Sequence, residues 1–94
     1  MALVRRLVLD VLKPHSPSIV ELSQMIADTE GIDGVDITVC EIDRKVENVR
    51  ITLEGTDINL DEIERVIQEN GGTVHSVDKV STGRKLVEEA KTMQ

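Results

Sequence analysis

The sequence contains no phenylalanine, tyrosine or tryptophan, and only one cysteine and two prolines. Without aromatic rings, the core must be built from many small aliphatic contacts, and a base-stacking RNA-binding sheet is not expected. One cysteine cannot form an internal disulfide, so nothing indicates an oxidising compartment. No apolar run approaches the ~20 residues of a membrane-spanning helix. We therefore expect a cytoplasmic protein that does not bind membranes.

Positive charge is also scarce, because 11 lysines and arginines stand against 18 aspartates and glutamates, for a formal net charge of −7. Such a chain repels phosphate backbones, which argues against nucleic acid as a partner. Apolar residues are abundant, since valine, isoleucine and leucine make up 30 of the 94 residues. This composition predicts one folded domain. A domain of this size buries a modest fraction of its surface, so we expect support from homo-oligomer formation.

Hydrophobic periodicity predicts four strands and two helices. The first helix begins near Ser16–Ser18 and the second at Asn59, and glycines end both. The strands are predicted at residues 3–12, 35–43, 46–54 and 73–80. This βαββαβ order predicts an α+β, ferredoxin-like fold, with an antiparallel sheet of order 4-1-3-2 and both helices on one face. The domain covers residues 1–83, and residues 84–94 form a tail or a short helix.

The sheet face opposite the helices is predicted to carry more apolar side chains than a monomer needs. Val8, Leu12, Cys40 and Ile42 alternate with the helix-facing residues, and Arg50 lies among them. This face is interpreted as a subunit interface. The alternative is a mixed solvent-exposed surface, since single exposed apolar groups are normal.

The hairpin between the second and third strands is acidic. If the apolar residues of both strands face the helices, a three-residue loop at 44–46 pairs Asp43 with Glu47 and places Glu41 on the same face. Carboxylates this close repel one another, and Ca²⁺ or Mg²⁺ would relieve the repulsion. The hairpin is therefore predicted to bind a divalent cation, completed by neighbouring subunits. The alternatives are a solvated tip neutralised by adjacent cations, or a bulge that changes the register.

Other combinations of reactive side chains are weaker. His15 and His75 are expected at the same end of adjacent strands, where Asp10 or Asp57 could complete a transition-metal site, although His15 is more simply a turn residue. Cys40 lies about 14 Å from His75 across the predicted sheet, too far for a thiol–imidazole pair. The chain has no Cys-x-x-Cys motif and no nucleotide or nucleophile motif, so neither a copper carrier nor an enzyme is expected.

Three stretches carry a family resemblance: VRRLVLDVLKPHSPSIVEL, GVDITVCEIDRKVENVRITLEG and GGTVHSVDKVSTGRKL. Over about residues 3–86 the chain resembles small archaeal proteins grouped as domain-of-unknown-function family 211. The resemblance implies a ferredoxin-like fold and ring-like homo-oligomers, with no established activity. The acidic hairpin residues and both histidines fall within matching stretches, whereas Cys40 departs from the usual aromatic or aliphatic residue.

The combined expectation is a homo-oligomeric binding or structural module with a cation at the acidic hairpin. The alternative is a regulatory domain that senses a small metabolite, by analogy with amino-acid-binding ferredoxin-like domains.

Overall fold

A computed structural model describes residues 1–87 and confirms the βαββαβ order. The elements are β1 (Val4–Pro14), α1 (Ile19–Ala27), β2 (Ile32–Ile42), β3 (Val46–Gly55), α2 (Leu60–Glu69) and β4 (Thr73–Thr82). The four strands form one antiparallel sheet in the order β2-β3-β1-β4, which is the predicted order read from the other edge. The α+β, ferredoxin-like fold is therefore confirmed.

The core lies between the helices and the two central strands. Its strand residues alternate along β1 and β3, as the period of two requires. The buried apolar side chains are Leu7, Leu9, Val11, Leu22, Ile26, Val49, Ile51, Leu53, Ile58, Ile63 and Ile67. Burial of each such side chain contributes about 1.5–3 kcal/mol. Within residues 1–87, no residue of β2 or β4 is fully buried.

Both helices begin at side-chain caps that the sequence predicts. The Ser18 hydroxyl accepts a hydrogen bond from the Glu21 amide at 3.1 Å, and the Glu21 carboxylate accepts one from the Ser18 amide at 3.2 Å. Of the two predicted starts for α1, the structure has this later one. At α2, the Asn59 side chain accepts a hydrogen bond from the Glu62 amide at 3.2 Å. These caps satisfy backbone donors that the helices themselves leave unpaired.

A β-bulge changes the register of the β2–β3 hairpin near its tip. Val39 pairs with Val49, as predicted, whereas the next paired residue, Glu41, lies opposite Asn48. One extra residue, Cys40, is therefore accommodated in β2, and alternation beyond it is reversed. Because of this reversal, Ile42 pairs with Glu47 and shares its face.

The hairpin loop consequently has two residues, Arg44 and Lys45, because the Asp43 amide donates a hydrogen bond to the Val46 carbonyl at 3.0 Å. The predicted three-residue loop and its pairing of Asp43 with Glu47 are wrong. The reason is that the bulge supplies the one-residue offset that the prediction assigned to the loop.

The pairing of the outer strand β4 with β1 contains three further irregularities, which lie between Val4 and Arg6, between Val8 and Leu9, and between Asp10 and Val11 of β1. The residues of β4 that pair with the buried residues of β1 therefore recur every third position. They are Val74, Val77 and Val80.

Residues 83–87 follow β4 and belong to no helix or strand. The remainder of the predicted terminal helix, residues 88–94, lies outside the described residues. Neither helix within residues 1–87 has the length and apolar character needed to cross a membrane.

The turns after α1 and after β3 approach each other closely. Gly31 has a positive φ of 89°, and its carbonyl accepts a hydrogen bond from the Thr56 amide at 3.1 Å. A Cβ added at Gly55 would lie 2.0 Å from the same carbonyl oxygen. A side chain at residue 55 therefore requires the backbone to move.

We expect Gly55→Ala to lower the free energy of unfolding by roughly 1–3 kcal/mol, the usual cost of overpacking a tight site. Urea denaturation measures this change. Gly34→Ala is the matched control, because an added Cβ at residue 34 meets no atom within 4 Å. Equal stability of the two variants would contradict the assigned close approach.

Candidate functional site

A buried ion pair closes the core where β1 ends. Lys13 continues the helix-facing row of β1 and lies directly opposite Glu47 of β3. Its ammonium donates hydrogen bonds to the Pro14 carbonyl at 2.7 Å and to the Glu47 carboxylate at 3.2 Å, and Lys13 is only 2% exposed. Because both partners are present, the buried charge is compensated.

His15 joins this ion pair to the hairpin loop. Its Nδ1 lies 2.9 Å from the second carboxylate oxygen of Glu47, and its Nε2 lies 3.0 Å from the Arg44 carbonyl oxygen. Both oxygens only accept hydrogen bonds, and a neutral imidazole has only one N–H. The doubly protonated imidazolium is therefore the form that satisfies both contacts.

The same contacts shift the pKa values of His15 and Glu47. The hydrogen bond to Glu47, and then the bond to the Arg44 carbonyl, raise the pKa of His15 above 6.5. The pKa of Glu47 is lowered, mainly by its hydrogen bond with His15 and further by Lys13. Lys13, His15 and Glu47, which we call the tip cluster, thus link the end of β1 to the hairpin electrostatically.

Asp43 stabilises the hairpin turn. Its carboxylate accepts hydrogen bonds from the amides of Lys45 and Val46, both at 2.9 Å. These two bonds lower the pKa of Asp43. The side chain therefore holds the turn rather than facing Glu47.

The three predicted cation ligands do not converge within one chain. Glu47 faces the helices with Lys13, Glu41 lies opposite Asn48 on the open side, and Asp43 is engaged in the turn. The predicted shared face is wrong because the bulge at Cys40 reverses the alternation of β2. Within residues 1–87 there is no group of three histidine, cysteine, aspartate or glutamate residues that could hold a metal ion.

The two histidines also have separate surroundings. His15 contacts Glu47 and Arg44, whereas His75 is an exposed residue at an irregularity of β4. Asp10, considered as their common partner, instead accepts a hydrogen bond from Asn48 at 2.6 Å. The structure therefore brings neither histidine to Asp10.

The predicted interface residues divide between the two sides of the sheet. Val8 is half-buried and Leu12 is exposed on the open face, and Cys40 is exposed at the bulge. Ile42 is 65% exposed but pairs with Glu47, so its predicted place on the open face is wrong. Arg50 is exposed on that face, opposite Thr38.

Lys13 is the site residue that sequence reasoning missed. The sequence does indicate that Lys13 is buried, because the row of Leu7, Leu9 and Val11 continues at every second residue to position 13. A lysine at the end of a buried row requires an anionic partner. The opposing Glu47 could be identified only from the β1–β3 register.

A cleft of about 770 Å³ lies between the end of α1 and the start of α2. Carboxylates dominate its charged side chains, and the guanidinium of Arg65 is itself bound by Glu62 and Glu69. The lining residues are Met25, Asp28, Thr29, Glu30, Gly31, Thr56, Asp57, Asn59, Glu62, Arg65 and Val66. The cleft therefore favours a cationic occupant over an anionic one.

The tip cluster predicts a pH dependence. Because the folded-state pKa of His15 is raised, its contribution to stability is complete below pH 6.5 and is lost as pH rises through the folded-state pKa. We expect Glu47→Gln to lower the His15 pKa and weaken this dependence. NMR titration of the His15 ring and urea denaturation across the neutral range measure both effects.

Glu41→Gln removes the same charge from the opposite face of the hairpin and serves as the control. It should leave the His15 titration close to that of the unaltered protein. An equal shift in the two variants would show that general hairpin charge, rather than the contact with Glu47, sets the His15 pKa.

Comparison with known proteins places the chain in a group without assigned activity. The model of the DUF211 family, described as an uncharacterized ArCR family, matches residues 5–94. The chain is also 48% identical over 91 residues to the uncharacterized protein MJ0319 of Methanocaldococcus jannaschii, covering 97% of this chain and 94% of that relative. The chain therefore belongs to the DUF211 family.

Proposed function

We propose that this protein is a self-assembling module whose subunits join along the outer strands of the sheet. The observation that supports the proposal is that the helices only partly bury the apolar side chains of these strands. The helices fully bury apolar residues of β1 and β3, whereas the helix-facing valines and isoleucine of β2 remain half-buried: Val35, Ile37 and Val39.

Apolar side chains of β4, at the opposite edge of the sheet, are also incompletely covered. Val77 is 45% exposed and Val80 is 56% exposed, although both pair with buried residues of β1. Apolar side chains in a row at a sheet edge are a liability in a monomer and a common feature of subunit contacts. A second chain at either edge would supply the missing cover.

The outer strands are better candidates for subunit contacts than the open face of the sheet. That face contains mostly charged and hydroxyl-bearing residues, and of its apolar side chains Val8 is already half-buried. An antiparallel sheet with one polar, solvated face needs no further covering layer.

We expect the purified protein to have a native mass that is a multiple of 10.4 kDa, measured by light scattering over a range of concentrations. Val77→Ser combined with Val80→Ser should shift the distribution towards smaller species, because the replaced side chains no longer bury apolar surface. Val20→Ser on α1 is the control, since Val20 is also exposed but belongs to a helix rather than to an outer strand. A monomer at every concentration contradicts the proposal.

Binding of Ca²⁺ or Mg²⁺ at the hairpin is retained as a secondary proposal for the assembled protein. Glu41 is exposed on the open side, and a hard cation prefers several carboxylate oxygens. Since the carboxylates of one chain do not converge, a cation at Glu41 takes its further ligands from a neighbouring chain.

A metabolite-sensing role is the second candidate function, and the cleft between α1 and α2 favours it. Its volume lies within the usual range of small-molecule sites. The surplus of carboxylates over the already paired Arg65 selects an organic cation, such as a polyamine.

Thermal denaturation separates these two ligand proposals. Millimolar CaCl₂ should raise the melting temperature of the unaltered protein but not of Glu41→Gln if the hairpin binds the cation. Spermidine should raise that of the unaltered protein but not of Asp57→Asn if the cleft binds amines. No shift with CaCl₂ removes the first proposal, and no shift with spermidine removes the second.

A further inference from the structure

We infer that Asn70 is a site of spontaneous deamidation, which the folded protein suppresses and which opening of the last turn of α2 permits. The inference concerns a covalent modification and does not depend on the proposed self-assembly. Of the three asparagines in the chain, Asn70 alone precedes a glycine. Glycine has no Cβ to hinder attack of its backbone nitrogen on the preceding side chain, and it lets the backbone reach conformations that other residues avoid.

The reaction needs only the Asn70 side chain, the Gly71 amide and water. Hydroxide removes the proton from the Gly71 nitrogen, which then forms a bond to Asn70 Cγ. The bond between Cγ and Nδ2 breaks, and the leaving nitrogen takes a proton from water and departs as ammonia. Water then opens the cyclic succinimide at either of its carbonyls. The product at position 70 is aspartate or isoaspartate, so a neutral side chain becomes an anion.

The folded structure engages both reacting groups at the end of α2. The Gly71 amide, whose nitrogen is the nucleophile, donates a hydrogen bond to the Gln68 carbonyl at 3.0 Å. The side-chain nitrogen of Asn70, which is the leaving group, donates one to the Val66 carbonyl at 2.8 Å. Attack requires both groups to leave these bonds. The last turn of α2 must therefore open before Asn70 reacts.

Close packing of two glycines keeps this turn closed. The Gly72 amide donates a hydrogen bond to the Ile67 carbonyl at 2.9 Å, which completes a Schellman motif. A Cβ added at Gly72 would lie 2.9 Å from Cγ2 of the buried Ile67, and one added at Gly71 would lie 3.2 Å from Cγ of Pro14. Because opening the turn disturbs these contacts, the reactive conformation is a minor one.

The modification also hinders the turn from closing again. A carboxylate at position 70 only accepts hydrogen bonds, so it cannot replace the bond to the Val66 carbonyl. Its negative charge lies at the carboxyl end of a helix that has no basic residue in its last turn, next to Glu69. Isoaspartate additionally inserts a methylene group into the main chain, directly before the two closely packed glycines. Deamidation therefore destabilises the end of α2.

Peptide mapping by mass spectrometry during incubation at mildly alkaline pH tests the site and its protection. Asn70 should gain about 1 Da, at a rate at least roughly tenfold lower in buffer than in guanidinium chloride, because only the open turn reacts. Asn48 and Asn59 are internal controls that precede larger residues, and they should stay unmodified over the same period. Equal rates in the two solvents would overturn the protection. An unmodified Asn70 in guanidinium chloride, or equal modification of all three asparagines, would overturn the site.

Gly72→Ala tests whether the closed turn controls the rate. The added methyl group meets Ile67, so the variant should deamidate at Asn70 at least about threefold faster in buffer than the unaltered protein. Gly34→Ala is the matched control and should leave the rate unchanged. Circular dichroism verifies that both variants are folded, and if Gly72→Ala is not, the comparison between buffer and guanidinium chloride decides the inference. An unchanged rate in folded Gly72→Ala contradicts control by the turn.

Asn70→Asp reproduces the charge of the product. It should lower the melting temperature by roughly 3–8 °C, because it loses the bond to Val66 and places an anion at the end of α2. Gln68→Glu makes the same amide-to-carboxylate change at an exposed position of the same turn, and it should lower the melting temperature less. An unchanged melting temperature of Asn70→Asp would show that deamidation does not hinder closure of the turn.

Discussion

Two helices much shorter than the strands they cover impose the main constraint on this structure. With 9 and 10 residues, α1 and α2 are each about 14–15 Å long, whereas strands of 10–11 residues extend over roughly 35 Å. The strand ends therefore extend beyond the helices, and the outer strands, which have a neighbouring strand on one side only, keep helix-facing residues that are only partly buried. The absence of aromatic side chains sharpens this limit, because no large ring extends the cover.

Backbone irregularities decide where the polar residues lie. The bulge at Cys40 separates Glu41 from Glu47 and brings Ile42 to the face of Glu47. Glu47 lies opposite Lys13 through the unbroken register of β1 and β3, so a carboxylate that was predicted to be part of an acidic patch compensates a buried ammonium. The tip cluster thus follows from the β1–β3 register, whereas the two-residue turn held by Asp43 follows from the extra residue in β2.

The fold was predictable because its determinants are local. Alternation in β1 and β3, the cap at Ser18 and the glycines after the helices each act over a few residues, and together they define six elements and one topology. The tip register was not predictable in the same way. Whether an extra residue sits in the Arg44–Lys45 loop or at Cys40 is a choice between two backbone arrangements with similar local patterns, and only the observed pairing of β2 with β3 shows which one the chain adopts.

The sequence by itself determined the element order, the buried rows of the central strands, the acidic charge and the family. Only the tertiary structure decided that His15 meets Glu47 rather than Asp10, that Lys13 is buried, and that the outer strands keep partly uncovered apolar side chains. Periodicity reports which side of an element is apolar. It does not report how far a covering helix extends or where a strand admits one more residue, because both depend on contacts between segments distant in the chain.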